Sequence, residues 1–149
     1  MDIQIFESYF LDEKNLDKAL LAIKDDIDRI EHYSQSFSSG TMLENPMALA
    51  NALIELSGLY MSLRPKLAIA STYKENNQLK HYYNAKANTP KDTKFVDAST
   101  EKEASYSVAS FRRVRNILEG YVEAIEKSMG MGQSLLKALQ KEHEMPVGD

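Results

Sequence analysis

The 149-residue chain contains no cysteine. Disulfides, thiolate zinc sites and thiol nucleophiles are therefore excluded, and the absence fits a cytosolic protein. Only four prolines and six glycines punctuate the chain, which leaves room for long uninterrupted helices. No apolar run approaches the roughly 20 residues that a membrane span needs. The amino terminus, MDIQIFESYF, lacks the basic and long apolar regions of a secretory leader, so none is expected. Motifs of catalysis are missing as well. There is no GxxxxGK[ST] phosphate loop, no GxGxxG and no GxSxG. The GMG at 130–132 has no strand before it. His32, His81 and His143 are far apart and form neither HxxxH nor HxH. Asp25, Asp26 and Asp28 fall within one helical segment and splay around it, whereas a calcium loop needs glycine and a turning backbone to converge its oxygens. Neither a catalytic centre, a metal nor a cofactor is expected.

What the chain has is helical periodicity and an uneven charge. Hydrophobic residues make up 43% and charged residues 27%, values of a folded protein. The net charge of −4 hides a contrast: residues 1–63 carry four Lys/Arg and eleven Asp/Glu, net −7, while residues 64–141 carry fourteen and eight, net +6. The last eight residues, 142–149, add −3 and read as a frayed tail. The expected organisation is an acidic N-terminal helical part (1–63), a basic helical hairpin (64–141) and that tail.

Residues 1–15 suit a short helix or an extended arm. From Leu16 the apolar residues Leu20, Ile23, Ile27 and Ile30 step by four and three, the stripe of one helix over 16–35, with Asp12 or Asn15 as its cap. SQSFSSGT (34–41) reads as a loop. Asn45-Pro46 reads as an N-cap followed by proline at the first helical position. The rhythm resumes at Leu49, Leu53, Leu56, Tyr60 and Leu63, and beyond Pro65 at Leu67, Ala70 and Tyr73, to about Asn88. Pro65 either kinks this helix or begins a new one. A turn is expected near 89–98. A last helix then runs from Thr100, with a Thr100–Glu103 capping box, through Phe111, Val114, Leu118, Tyr121 and Ile125 to about Lys141. Small residues on that stripe, Ser128 and Gly132, would let a neighbouring helix approach closely. The predicted fold is all-α: a small N-terminal helical part and a long antiparallel hairpin with a coiled-coil-like seam. The stripes are near two apolar positions in seven, narrow enough that homo-oligomerisation is expected to complete the core.

The basic hairpin is the candidate functional region. Arg64, Lys66, Lys74, Lys80, His81, Lys86, Lys91 and Lys94 run along one arm and its turn, and Arg112, Arg113 and Arg115 lie on the return arm. Tyr73, Tyr82, Tyr83, Phe95 and Tyr106 interleave with them. Cations that track a backbone, with aromatic faces for bases, are the ingredients of sequence-tolerant single-strand binding, salt-sensitive through counterion release. Tyr82 and Tyr83 are adjacent on a helix, so at most one points into the core. The bland alternative is equally open: exposed lysines as solubility residues, tyrosines as half-buried packing. Pairing of the arginines with Glu119, or with the acidic first helix of a neighbouring subunit, is a further rival.

Across roughly residues 67–140, the layout of LKHYYNAKANTPKD followed by RNILEGYVEAIEKSMGMGQSLLKAL resembles the phage recombination mediator proteins of the UvsY type. That resemblance implies a non-enzymatic, ring-like homo-oligomer that binds single-stranded DNA. It also implies a role in loading a RecA-like recombinase onto strands covered by single-strand-binding protein. Lys74, Lys80, Lys86, Arg112, Arg113 and Arg115 would then contact DNA, in the host-cell cytoplasm if the protein is phage-encoded. The competing expectation is a helical protein-interaction module without nucleic acid: a phage assembly chaperone, a scaffold, or an inhibitor of a host protein.

Overall fold

The computed structural model describes residues 2–40, 42, 45–94 and 96–144, with the side chains of His143 and Glu144 left aside. Every regular element among them is helical. Helices α1 (Ile3–Ser8), α2 (Leu16–Ala22), α3 (Lys24–Ser38), α4 (Pro46–Asn88), α5 (Asp97–Ser107) and α6 (Ala109–Glu144) are joined by short connections, with one 3₁₀ turn at Glu13–Asn15. The all-α expectation holds. No helix among the described residues is long and apolar enough to cross a membrane.

Helix starts follow their side chains. Asp2 accepts from the Gln4 amide and Asp12 from the Lys14 amide, so Asp12 caps the 3₁₀ turn rather than a longer helix. Asn45 Oδ1 accepts from the amides of Met47 and Ala48, both at 3.1 Å, and Pro46 opens α4 as its sequence suggests. Pro65 lies inside α4 without ending it. The serine-rich stretch expected as a loop is helical up to Ser38. Ser36 and Ser38 donate their hydroxyls to carbonyls four residues back, and that internal bond removes the serines' preference for a turn. The chain leaves α3 at Gly40, whose φ of 72° is the left-handed value that glycine adopts freely.

Two interruptions carry no glycine or proline. The helix predicted over 16–35 breaks at Ile23, with φ −103° and ψ 3°. The last helix breaks at Val108, with φ −109° and ψ 22°. Both residues sit in the bridge region and both are fully buried, Ile23 at 1% and Val108 at 0% exposure. Burying a β-branched side chain outweighs the lost helical geometry at one residue. The last helical segment also begins earlier than predicted. Asp97 is its first residue, Val96 occupies the cap position, and Thr100 is a buried internal residue whose hydroxyl donates to the Val96 carbonyl. The Thr100–Glu103 capping box does not form.

The chain divides into two compact units. Each draws on both the acidic first part and the basic second part of the sequence.

The first unit comprises residues 1–22 and 65–118. Its core centres on Phe10, which packs its ring against Phe6, Tyr73 and Phe111 at centroid separations of 5.3, 5.6 and 6.5 Å. Leu16, Ala19, Leu67, Ala70, Ala104, Val108, Val114 and Leu118 complete it. The weakly patterned first fifteen residues are thus a structural wedge: α1 is short, but Phe6 and Phe10 are 0% and 1% exposed. Lys66 is buried beside them, its ammonium 6.0 Å from the Phe6 ring centroid.

The second unit comprises residues 23–64 and 119–149. Within it α3, α4 and α6 form a three-helix arrangement in which α4 packs antiparallel to α6. Ile23, Ile30, Leu49, Ala52, Leu56, Leu59, Leu63, Val122 and Ile125 are its core. The buried face of α4 is wider than the predicted seam: Ala52 and Leu59 are buried beside Leu49, Leu56 and Leu63, while Leu53 and Tyr60 are only half-buried. Polar contacts tie each pair of helices. Arg29 Nη2 meets Glu55 Oε2 at 2.8 Å between α3 and α4, Tyr121 donates to Glu31 at 2.7 Å between α6 and α3, and Tyr60 donates to Glu126 at 3.0 Å between α4 and α6. Gly132 is buried, and a Cβ on it would meet Leu53 Cδ2 at 2.6 Å, the close approach its sequence position suggested.

Candidate interaction surface

From Lys74 on, the candidate residues fall in the first unit, on the C-terminal half of α4, the connection to α5, and the start of α6, whereas Arg64 belongs to the second unit and Lys66 is buried in the core of the first. Beyond Tyr73, α4 buries no residue. The chain reverses over residues 89–96 and α5 returns along α4, tied by the Tyr82 hydroxyl, which donates to Asp97 Oδ1 at 2.6 Å.

The cations of this arm do not share one face. Lys74, Lys80 and Lys86 are spaced by six. Each step turns the side chain by about 240° around a helix that advances about 100° per residue, so the three point about 120° apart. Lys80, His81, Lys86, Lys91 and Lys94 are exposed, and Lys74 is half-buried. Phe95, the aromatic expected among them, lies outside the described residues. Arg112 is half-buried and folds back onto α5, its Nη2 donating to the carbonyl and hydroxyl of Ser105. Arg115 Nη1 donates to Asn116 Oδ1 at 3.1 Å. Arg113 is exposed and lies 3.8 Å from Asp17 of α2 in the same chain, a contact that is neither the expected Glu119 pairing nor one between subunits. At 68% and 88% side-chain exposure that pair contributes little.

Folding also dilutes the charge. The first unit carries twelve Lys/Arg and ten Asp/Glu, net +2, and the second carries six and twelve, net −6. Residues 74–107 alone hold six lysines against five carboxylates, because α5 brings Asp97, Glu101 and Glu103 beside α4.

The arm does form a concave surface that the sequence did not reveal. Glu75, Gln78, Leu79, Tyr82 and Tyr83 of α4 and Glu101 and Ala104 of α5 line a groove of about 570 Å³. The two tyrosine rings stand nearly perpendicular, at 80° with centroids 5.4 Å apart. Tyr82 is half-buried and its hydroxyl is occupied by Asp97. That bond, with burial and the Asp97 charge, pushes its pKa up to about 12. Tyr83 is 61% and Leu79 52% exposed. Of the tyrosine pair, Tyr83 is the one that faces solvent. His81 lies on another side of α4, in a hollow of about 170 Å³ with Ala85, Thr100 and Glu103. Glu75 and Glu101 were missed because neither belongs to a motif; they are 26 positions apart in sequence and line one groove only through the chain reversal. No group of three or more His, Asp and Glu among the described residues converges to hold a metal.

No family model matches the chain, and neither a curated protein nor a solved structure matches it.

Proposed function

We propose that the chain is a non-enzymatic helical interaction protein that docks another protein on the α4–α5 arm of the first unit. The observation that carries this reading is the arm's surface. Leu79, Tyr83, Val96 and Tyr106 are 52–67% exposed among charges of nearly balanced sign, and none of the described residues from 74 to 99 is buried. An arm that buries so little of its own apolar surface is better explained by a partner than by its contribution to the core. An assembly chaperone, a scaffold and an inhibitor all fit this description.

The second reading is the recombination accessory protein: single-stranded DNA binding, with a RecA-like recombinase and a single-strand-binding protein as partners. What favours it is the exposure of Lys80, Lys86, Lys91, Lys94 and Arg113 together with the open Tyr83 ring. The splayed lysines and the intervening carboxylates weigh against it. Fluorescence anisotropy with a labelled single strand across a salt series separates the two. The protein-docking reading expects no binding at physiological salt. Tight binding that falls linearly in log–log salt, and is lost on charge reversal of Lys86, Lys91 and Lys94, would overturn it in favour of DNA.

Self-association belongs to the same proposal. In the second unit Met47, Ile54 and Met61 recur at seven-residue steps on α4 and are 70–74% exposed, opposite its core face. Light scattering tests this: a strict monomer at micromolar concentration removes it.

A further inference from the structure

The groove between α4 and α5 has a chemistry of its own. Two carboxylates, Glu75 and Glu101, stand on its walls, no cation among the described residues lines it, and its remaining surface includes two tyrosine rings and Leu79. From this we infer that it receives an arginine side chain carried on an apolar segment of the partner protein, which names the partner chemistry for the docking reading above and rests on it.

Charge complementarity selects a cation. A nucleic-acid strand in this groove would set its phosphates against Glu75 and Glu101. A divalent metal would want a third converging ligand, which the described residues do not provide. The aromatic rings then select arginine over lysine. A guanidinium is planar, stacks on a ring face and meets carboxylates through two parallel N–H bonds, whereas an ammonium is a compact, strongly hydrated charge. Both rings of the nearly perpendicular Tyr82–Tyr83 pair line the groove. Tyr82 is held by Asp97, so that ring is positioned before any ligand arrives, which lowers the ordering cost of binding. Leu79, 52% exposed, supplies the apolar contact for a residue flanking the arginine. At about 570 Å³ the groove has room for that side chain and one neighbour, within the size range of ligand sites.

The test uses the full chain, ¹⁵N-labelled, titrated with a capped heptapeptide, Gly-Ser-Leu-Arg-Leu-Ser-Gly, and with the same peptide carrying Lys or Gln at the centre. Amide shifts are expected over residues 75–83 and 101–104, weaker for the lysine peptide and absent for the glutamine peptide. The double variant Glu75→Gln/Glu101→Gln should lose about tenfold in affinity, roughly the loss of one charge-assisted contact pair. Both side chains are exposed, so a helical circular-dichroism spectrum confirms that the variant still folds. The inference is overturned if the shifts fall on the acidic second unit instead, if the double variant binds equally well, or if millimolar peptide shifts nothing. A dimer that the peptide dissociates would overturn the assignment to a different protein and make a second copy the occupant. The two readings fail separately. Loss of peptide binding alone leaves protein docking on the arm intact, whereas tight salt-sensitive DNA binding through Lys86, Lys91 and Lys94 defeats the docking reading whatever the groove does.

Discussion

Alanine at Gly130 and at Gly132 is the same chemical change made twice in one helix, two residues apart, and the two should differ in sign. In a helix interior, glycine costs about 1 kcal/mol relative to alanine. At Gly130 a new Cβ meets nothing within 4 Å, so Gly130→Ala should return that amount, raising the melting temperature by about 2–4 °C for a chain of this length. At Gly132 the Cβ would lie 2.6 Å from Leu53 Cδ2, 3.3 Å from Leu53 Cγ and 3.4 Å from Phe37 Cζ. Leu53 can rotate its methyl away, but its Cδ2 and Cγ are crowded at once, so the whole side chain has to move. Overpacking of this kind costs about 1–3 kcal/mol. The propensity gain is then cancelled or reversed, and the two variants should differ by about 2 kcal/mol, or ~6 °C. The chain has no tryptophan, so urea unfolding is best followed by circular dichroism at 222 nm. Equal stabilisation by both substitutions would refute the reasoning, because it would mean that α4 does not press on Gly132.

Further outcomes follow from the same contacts. Phe10→Ala empties the centre of four packed rings and should cost about 3–5 kcal/mol, read as a lower urea midpoint; a loss below 1 kcal/mol would show that the first fifteen residues are not part of the core. Alkaline titration at 295 nm should show Tyr82 and Tyr121 ionising last, both pushed up to about 12 by hydroxyl bonds to Asp97 and Glu31. Their folded pKa lies above the unfolded value near 10, so the stability they contribute is complete below pH 10 and lost as pH rises toward 12. A single step near 10 for all eight tyrosines would contradict both bonds. Glu55 is held below its ordinary value by hydrogen bonds from Tyr33 and then Arg29. Its contribution is present above about pH 4.5 and fades as pH falls through its lowered pKa, so Glu55→Gln should flatten the acid limb of the stability curve. An unchanged acid limb would show that this contact is not formed in solution.

The four-and-three rhythm of apolar residues was enough to place the helices because a 3.6-residue turn forces that spacing on any helix with one buried face. Leu49, Leu56, Leu63, Phe111, Val114, Leu118 and Ile125 were all legible on that ground, as was the Asn45-Pro46 start, where a side-chain cap acts within three residues. The breaks at Ile23 and Val108 were not legible. Nothing local demands them; they exist because those two side chains must enter a core made of residues distant in sequence. The serines after Tyr33 misled for the opposite reason, their hydroxyls being satisfied inside the helix instead of capping a turn.

Charge shows the division most clearly. Sequence alone determined that residues 64–141 are basic and that no motif of catalysis is present. Only the tertiary structure decided what that basicity amounts to: α5 lays its carboxylates beside the lysines of α4, the six-residue spacing of Lys74, Lys80 and Lys86 spreads them around the helix, and Arg112 turns inward to Ser105. The potential of a surface is a sum over groups near in space, and a linear sequence lists only those near along the chain. The aromatic groove with Glu75 and Glu101 is the product of that difference, since it comes into being only when the chain reverses between α4 and α5.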